Sequence, residues 1–191
     1  MGLRKTIGLV AVVLSAGFGD RVAVCGVIEF TDPLEWQAAV GMFVTVDFTG
    51  FPPGTFITDQ YADLGILFTD GNDSIHFTPS FPNDGVGLDG NGNISVVFDT
   101  PQAWIGVDYP GFLSIELYSE GRLFFASNLY GGGVGNFLGL VSSELFDAAV
   151  LVESAPGFEA AIDDLHFGVP APGALWLLGL SALRARRRRR R

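Results

Sequence analysis

Cysteine occurs once in the 191 residues, at Cys25, so no intrachain disulfide can form and no thiolate cage for a metal is available. Stability has to come from packing. Basic residues are nearly missing from the body of the chain: between Gly26 and Gly168, Arg122 stands alone against twenty Asp and Glu, a net of −19, whereas the whole chain carries −10. A body so acidic disfavours nucleic acid and anionic lipid as partners, because both need clustered Lys and Arg. Cations and neutral sugars fit that charge. The motifs of the common hydrolases are absent as well, with no Gly-x-Ser-x-Gly elbow, no His-Glu-x-x-His pair and no phosphate-binding loop. Each of the two histidines, His76 and His166, sits between apolar neighbours and reads as a strand residue.

The missing positive charge is found at the two ends. Arg4 and Lys5 precede an apolar run from Ile7 to Ala16, which gives way to small residues at Ser15, Ala16, Gly17 and Gly19. That is the layout of a secretory signal peptide, spanning residues 1–25 with cleavage between 17 and 25. Both Ser15-Ala16-Gly17 and Ala23-Val24-Cys25 offer small residues at the −3 and −1 positions. Export machinery is therefore an expected partner. The far end, 169–191, has three consecutive parts. Val169-Pro170-Ala171-Pro172 is followed by the apolar stretch Gly173-Ala174-Leu175-Trp176-Leu177-Leu178-Gly179-Leu180-Ser181-Ala182-Leu183, and then by Arg184, Arg186, Arg187, Arg188, Arg189, Arg190 and Arg191.

In that order the three parts resemble the PEP-CTERM sorting signal, with Ala171 at the position where the family most often has Glu. The resemblance implies export, transient retention in the inner membrane with the arginines on the cytoplasmic side, and recognition of the Pro-x-Pro region by an exosortase-type transpeptidase. It further implies a cell-surface or extracellular-matrix location and an association with exopolysaccharide. As a helix, eleven apolar residues reach about 16 Å, about half the ~30 Å hydrocarbon core. A permanent anchor of that length needs bilayer thinning or snorkelling arginines, whereas a signal that is removed does not.

Residues 26–168 are left as one acidic domain. Asp32-Pro33-Leu34-Glu35 predicts a helix start, with Asp32 as N-cap, Pro33 in the first turn and Glu35 three residues after the cap; the helix runs to about Val40 and docks through Trp36. From Met42 onward the period becomes two. About nine strands are expected, near 43–48, 65–69, 74–78, 93–99, 104–109, 112–118, 122–127, 148–153 and 160–167. Gly, Pro, Asn and Asp clusters punctuate them. The fold class is therefore all-β: an antiparallel, jelly-roll-like β-sandwich with one short N-terminal helix, its core filled by many of the seventeen phenylalanines. The stretch from Val46 to Thr69, with Ala161 to Gly168, resembles a body module common in proteins carrying this tail. That likeness extends the fold expectation and implies no activity.

Asp163 and Asp164 stand side by side in the last expected strand, so one of them faces inward whatever the register. With one arginine in the domain, Ca²⁺ is an apt partner, and Asp47 or Glu29 can supply an early-strand ligand. The loop from Asp84 to Asn93 and the cluster Asp70, Asn72 and Asp73 are weaker calcium-like patterns, which turn chemistry also explains. Tyr109 and Tyr130 are the candidates for stacking on a sugar ring. The expected function is that of an exported, non-catalytic envelope or matrix protein. A carbohydrate-binding module and a polysaccharide hydrolase are the alternatives.

Overall fold

The computed structural model describes residues 26–81, 83–90, 92–152 and 159–168. The signal-peptide and sorting-signal expectations fall on 1–25 and 169–191, outside the described residues. In chain order the elements are β1 (Val27–Phe30), α1 (Pro33–Ala39), β2 (Val44–Val46), β3 (Ile66–Phe68), β4 (Ser74–Phe77), β5 (Val86–Asp89) and β6 (Ile94–Tyr109). They continue with β7 (Phe112–Ser119), β8 (Arg122–Ala126), β9 (Tyr130–Gly131), β10 (Asn136–Val152), β11 (Ala161–Ile162) and β12 (Leu165–Gly168). All pairings between these strands are antiparallel. The protein is an all-β sandwich.

Its two sheets are unequal. The larger has the order β2-β12-β6-β10-β7-β8, with β1 added to β10, β3 to β6 and β9 to β7; the smaller is β11-β5-β4. Two long strands organise the larger sheet by changing neighbours along their length. The first half of β6 pairs with β3 and its second half with β12, while β10 pairs with β1 near Leu140 and with β7 beyond Ala148. Register shifts between Val141 and Ala148 mark the changeover, close to Gln102 and Pro101 on β6. A proline lacks the ladder N–H, so it sits where the pairing is already irregular.

Several expected boundaries change for this reason. The separate strands expected at 93–99 and 104–109 are one strand, β6, because the polar break at Thr100-Pro101-Gln102 bends the ladder without ending it. The strand expected at 148–153 is the second half of β10, which begins at Asn136. The loop expected from 84 to 93 contains β5, and the last expected strand divides at Asp163-Asp164 into β11 and β12, which belong to different sheets.

The main core lies between the sheets, where Ile75, Leu88 and Ile162 of the smaller meet Ile105, Val107, Leu138 and Leu165 of the larger. Strand alternation delivers these side chains: in β7, Leu113, Ile115 and Leu117 are buried and their neighbours are not. A second, smaller cluster forms on the opposite face of the larger sheet. There α1 docks through Trp36, its one buried residue, against Trp104 and Phe137. The helix starts where the sequence places it: Asp32 Oδ1 accepts from the amides of Leu34 (2.8 Å) and Glu35 (3.2 Å). Its indole needs two glycines beneath it. A Cβ on Gly106 would come within 3.0 Å of the Trp36 ring, and one on Gly139 would collide with it. Among the described residues no helix is long and apolar enough to cross a membrane.

Candidate functional site

Strand pairing gathers a polar cluster at one end of the face that carries α1. His166 on β12 lies opposite Gly106 on β6 and Thr45 on β2, so these three share a face. Two residues further along, the alternation brings Asp108 and Asp164 to that face too. His166 Nε2 is 3.0 Å from Asp108 Oδ2, and His166 Nδ1 is 2.9 Å from Thr45 Oγ1. One ligand atom each from Asp108, Asp164 and His166 lie within 4.8 Å of one another. The imidazole is held from behind by Trp36 and Phe43, at ring-centroid distances of 5.8 and 5.4 Å.

Asn83 ties a neighbouring loop to the cluster. Its side-chain amide donates to Asp164 Oδ2 (2.6 Å) and its backbone N–H donates to Asp163 Oδ2 (2.7 Å). The backbone closes the same region, because Asp108 N donates to Asp164 O and Asp163 N donates to Asp108 O. Asp163 is fully buried and its Oδ1 has no partner. Burial, countered by the Asn83 N–H and reinforced by the charges of Asp164, Asp84 and Asp108, pushes its pKa up to about 6. The pKa of Asp164 is raised as well, first by burial; His166 and the Asn83 amide oppose the shift, and Asp108 and Asp47 add to it.

Three of the four expected cation ligands are thus neighbours: Asp163, Asp164 and Asp47, whose charge Asp164 feels from just beyond β2. Glu29 is not with them. It sits on β1, three strands away across β10 and β6, beside the Tyr130 hydroxyl, whose pKa this contact raises. Tyr109, expected as a sugar platform, is a core residue with 1% exposure and cannot stack on a ligand, because its position in β6 faces the inter-sheet core. Tyr130 is half-buried in β9. Asp108, Thr45 and Asn83 were not expected at the site. A partial signal existed in Asp164-Leu165-His166, since residues i and i+2 of a strand share a face. Asp108 gave none, being 56 positions away.

A second acidic group lies in the smaller sheet. Pairing of Ser74 with Asp89 brings together the two Asp/Asn/Gly loops that the sequence presents separately. Asp73 is fully buried, and neither carboxylate oxygen has a partner. Burial first, then Asp70 and Asp89, push its pKa up to about 7. Asp89 is raised by burial and by Glu159, while His76, 3.6 Å away, opposes the shift. Asp84 follows turn chemistry, its Oδ1 accepting from Val86 N.

The chain Thr45–His166–Asp108 has the connectivity of a nucleophile, base and orienting acid. Its surroundings oppose acyl transfer, however. Attack by Thr45 on an acyl carbonyl would leave the negative charge on the substrate's carbonyl oxygen, near Asp47, Asp108 and Asp164, where catalysis needs donors. A cation suits the same field. Comparison with family models, with curated proteins and with solved structures finds no match.

Proposed function

We propose that this chain is an exported, non-catalytic protein of the cell envelope or extracellular matrix, sorted by an exosortase-type transpeptidase and associated with exopolysaccharide. The observation that carries the reading is the C-terminal order of Pro170-Ala171-Pro172, apolar Gly173 to Leu183, and Arg184 to Arg191, opposite a leader with Arg4, Lys5 and an apolar run. The acidic body is consistent with it, since a net of −19 suits a cation-rich matrix outside the cell and repels nucleic acid. The eleven-residue apolar segment suits a signal meant for removal.

Intact-mass analysis of the protein from a host with an exosortase tests this. The expected mature species has lost the leader and ends near Pro172, and replacing Pro170 and Pro172 by Ala leaves the tail in place. A secreted species that retains the arginine cluster would overturn the sorting assignment.

One observation favours a second reading, a polysaccharide hydrolase. An oxygen of Asp108 and an oxygen of Asp164 lie within 4.8 Å of each other, so two carboxyl groups converge on one point as in a retaining glycosidase. Release of reducing ends from a matrix polysaccharide, lost in Asp164→Asn, would replace the non-catalytic assignment. A carbohydrate-binding role would rest on Tyr130, and glycan-array binding lost in Tyr130→Ala would establish it.

A further inference from the structure

We propose that Asp108, Asp164 and His166 bind a first-row divalent transition-metal ion of the Zn²⁺ or Mn²⁺ class on the α1-bearing face of the larger sheet. This goes beyond the sorting assignment and does not depend on it.

Geometry is the first argument. Zn²⁺ is bound by His nitrogen and Asp oxygen at about 2.0–2.2 Å, so two neighbouring ligand atoms on one ion lie about 3 Å apart. The 3.0 Å between His166 Nε2 and Asp108 Oδ2 matches that separation, and an oxygen of Asp164 completes a group within 4.8 Å. An ion would bind these two atoms in place of their contact with each other.

The second argument is the support around the ligands. Metal-binding imidazoles are held through their other ring nitrogen, and ligating carboxylates are themselves hydrogen-bonded. His166 Nδ1 is at 2.9 Å from the Thr45 hydroxyl, and Asp164 Oδ2 accepts from Asn83 Nδ2. Both contacts orient a ligand, and on His166 the remaining ligand atom, Nε2, is turned toward Asp108, 3.0 Å from its Oδ2.

The third argument is uncompensated charge. Asp47 adds its charge to Asp164, and Asp163, next to Asp164 in the chain and tied to it through Asn83, is fully buried with Oδ1 unpartnered. Among the described residues the one Arg or Lys is Arg122, on β8 at the opposite edge of the sheet from β2. No Lys or Arg of the body reaches the site, where one imidazole faces several carboxylates, so a bound ion supplies the further positive charge these acids lack. The imidazole selects the class of ion. Ca²⁺ takes six to eight oxygens, whereas imidazole with carboxylates suits Zn²⁺ and its first-row neighbours.

The test is thermal unfolding of the purified full chain, stripped with chelator, in 100 µM ZnCl₂, MnCl₂ or CaCl₂. Zn²⁺ or Mn²⁺ is expected to raise Tm by about 5 °C and to bind at one ion per chain. Asp164→Asn and His166→Gln should each abolish the shift, and His76→Gln, which removes the exposed imidazole next to Asp89, should keep it. No shift with any ion overturns the proposal, and so does a shift with Ca²⁺ alone or one that survives in Asp164→Asn. Should both site variants fail to fold, paramagnetic broadening by Mn²⁺ in the wild-type NMR spectrum decides. Loss of the His166 and Asp164 signals supports the site, and broadening centred on His76 or residues 70–73 overturns it.

Discussion

The protein places carboxylates in two settings that handle negative charge differently. On the face that carries α1, Asp108 and Asp164 meet donors, the His166 ring and the Asn83 amide. Inside the smaller sheet, Asp73 meets none and is surrounded by Asp70 and Asp89. An ionised carboxylate with partners keeps its charge at modest cost. One without partners gives the charge up, which is why Asp73 holds its proton to about pH 7. The first arrangement resembles a prepared binding cluster, and the second is a store of pH-dependent instability.

Removing the support under one region breaks the comparison most severely. Trp36→Ala leaves a hole beneath His166 and across Gly106 and Gly139, and a loss of about 3–5 kcal/mol is expected by denaturant titration. The His166–Asp108 pair should loosen with it, seen as a change in the imidazole NMR shifts. Residues around Asp73 should keep theirs.

The next largest effect concerns pH. Asp73, with its pKa raised from 3.8 to about 7, binds its proton more tightly in the folded chain than in the unfolded one. Between about pH 4 and 7 the native state therefore holds more protons, so stability is full below the unfolded pKa and falls as pH rises through the folded one. Asp163, at about 6, acts in the same direction over a narrower window. In chelator the chain should be more stable near pH 4.5 than at pH 7.5. Asp73→Asn should flatten most of that slope, by at most about 4 kcal/mol. Unchanged slope in this variant would remove Asp73 from the account.

A smaller loss follows from cutting the outer pair itself. Asp108→Asn weakens a charge-assisted hydrogen bond and should cost about 1.5–3 kcal/mol at neutral pH, measured by urea unfolding. It is opposite in sign to Asp73→Asn, and equal signs would erase the distinction between the two settings. The smallest effect belongs to a site remote from both. In the β7–β8 turn, Glu120 and Gly121 have φ of 52° and 74°, and Gly121→Ala should cost about 1 kcal/mol. Neither the pH slope nor the response to metal should change in it.

Much of the local structure was legible along the chain. The Asp32 cap and Pro33 are short-range features, settled by side chains that reach their own backbone within three residues, and Trp36 stood out as the helix's aromatic residue. The alternation of β7 and the Glu120-Gly121 turn are equally local. Less legible was where strands end, because Thr100-Pro101-Gln102 reads as a loop and is a bend in a continuous ladder. Of the site, Asp163 and Asp164 stood out as adjacent acids in an apolar strand, and Asp47 as an early-strand acid. Tyr109 was misplaced because its burial depends on which face of β6 meets the smaller sheet.

The sequence by itself determined the all-β class, the single helix start, the excess of acid over base in the body and the pattern of the two ends, since each is a property of neighbouring residues or of composition. Tertiary structure alone decided that β12 lies between β2 and β6, which sets His166 against both Thr45 and Asp108. It also decided that Asp73 is sealed from water between two loops. Pairing between residues 58 and 121 positions apart leaves no periodic trace in the chain, because register is set by the packing of whole sheet faces and not by any local preference.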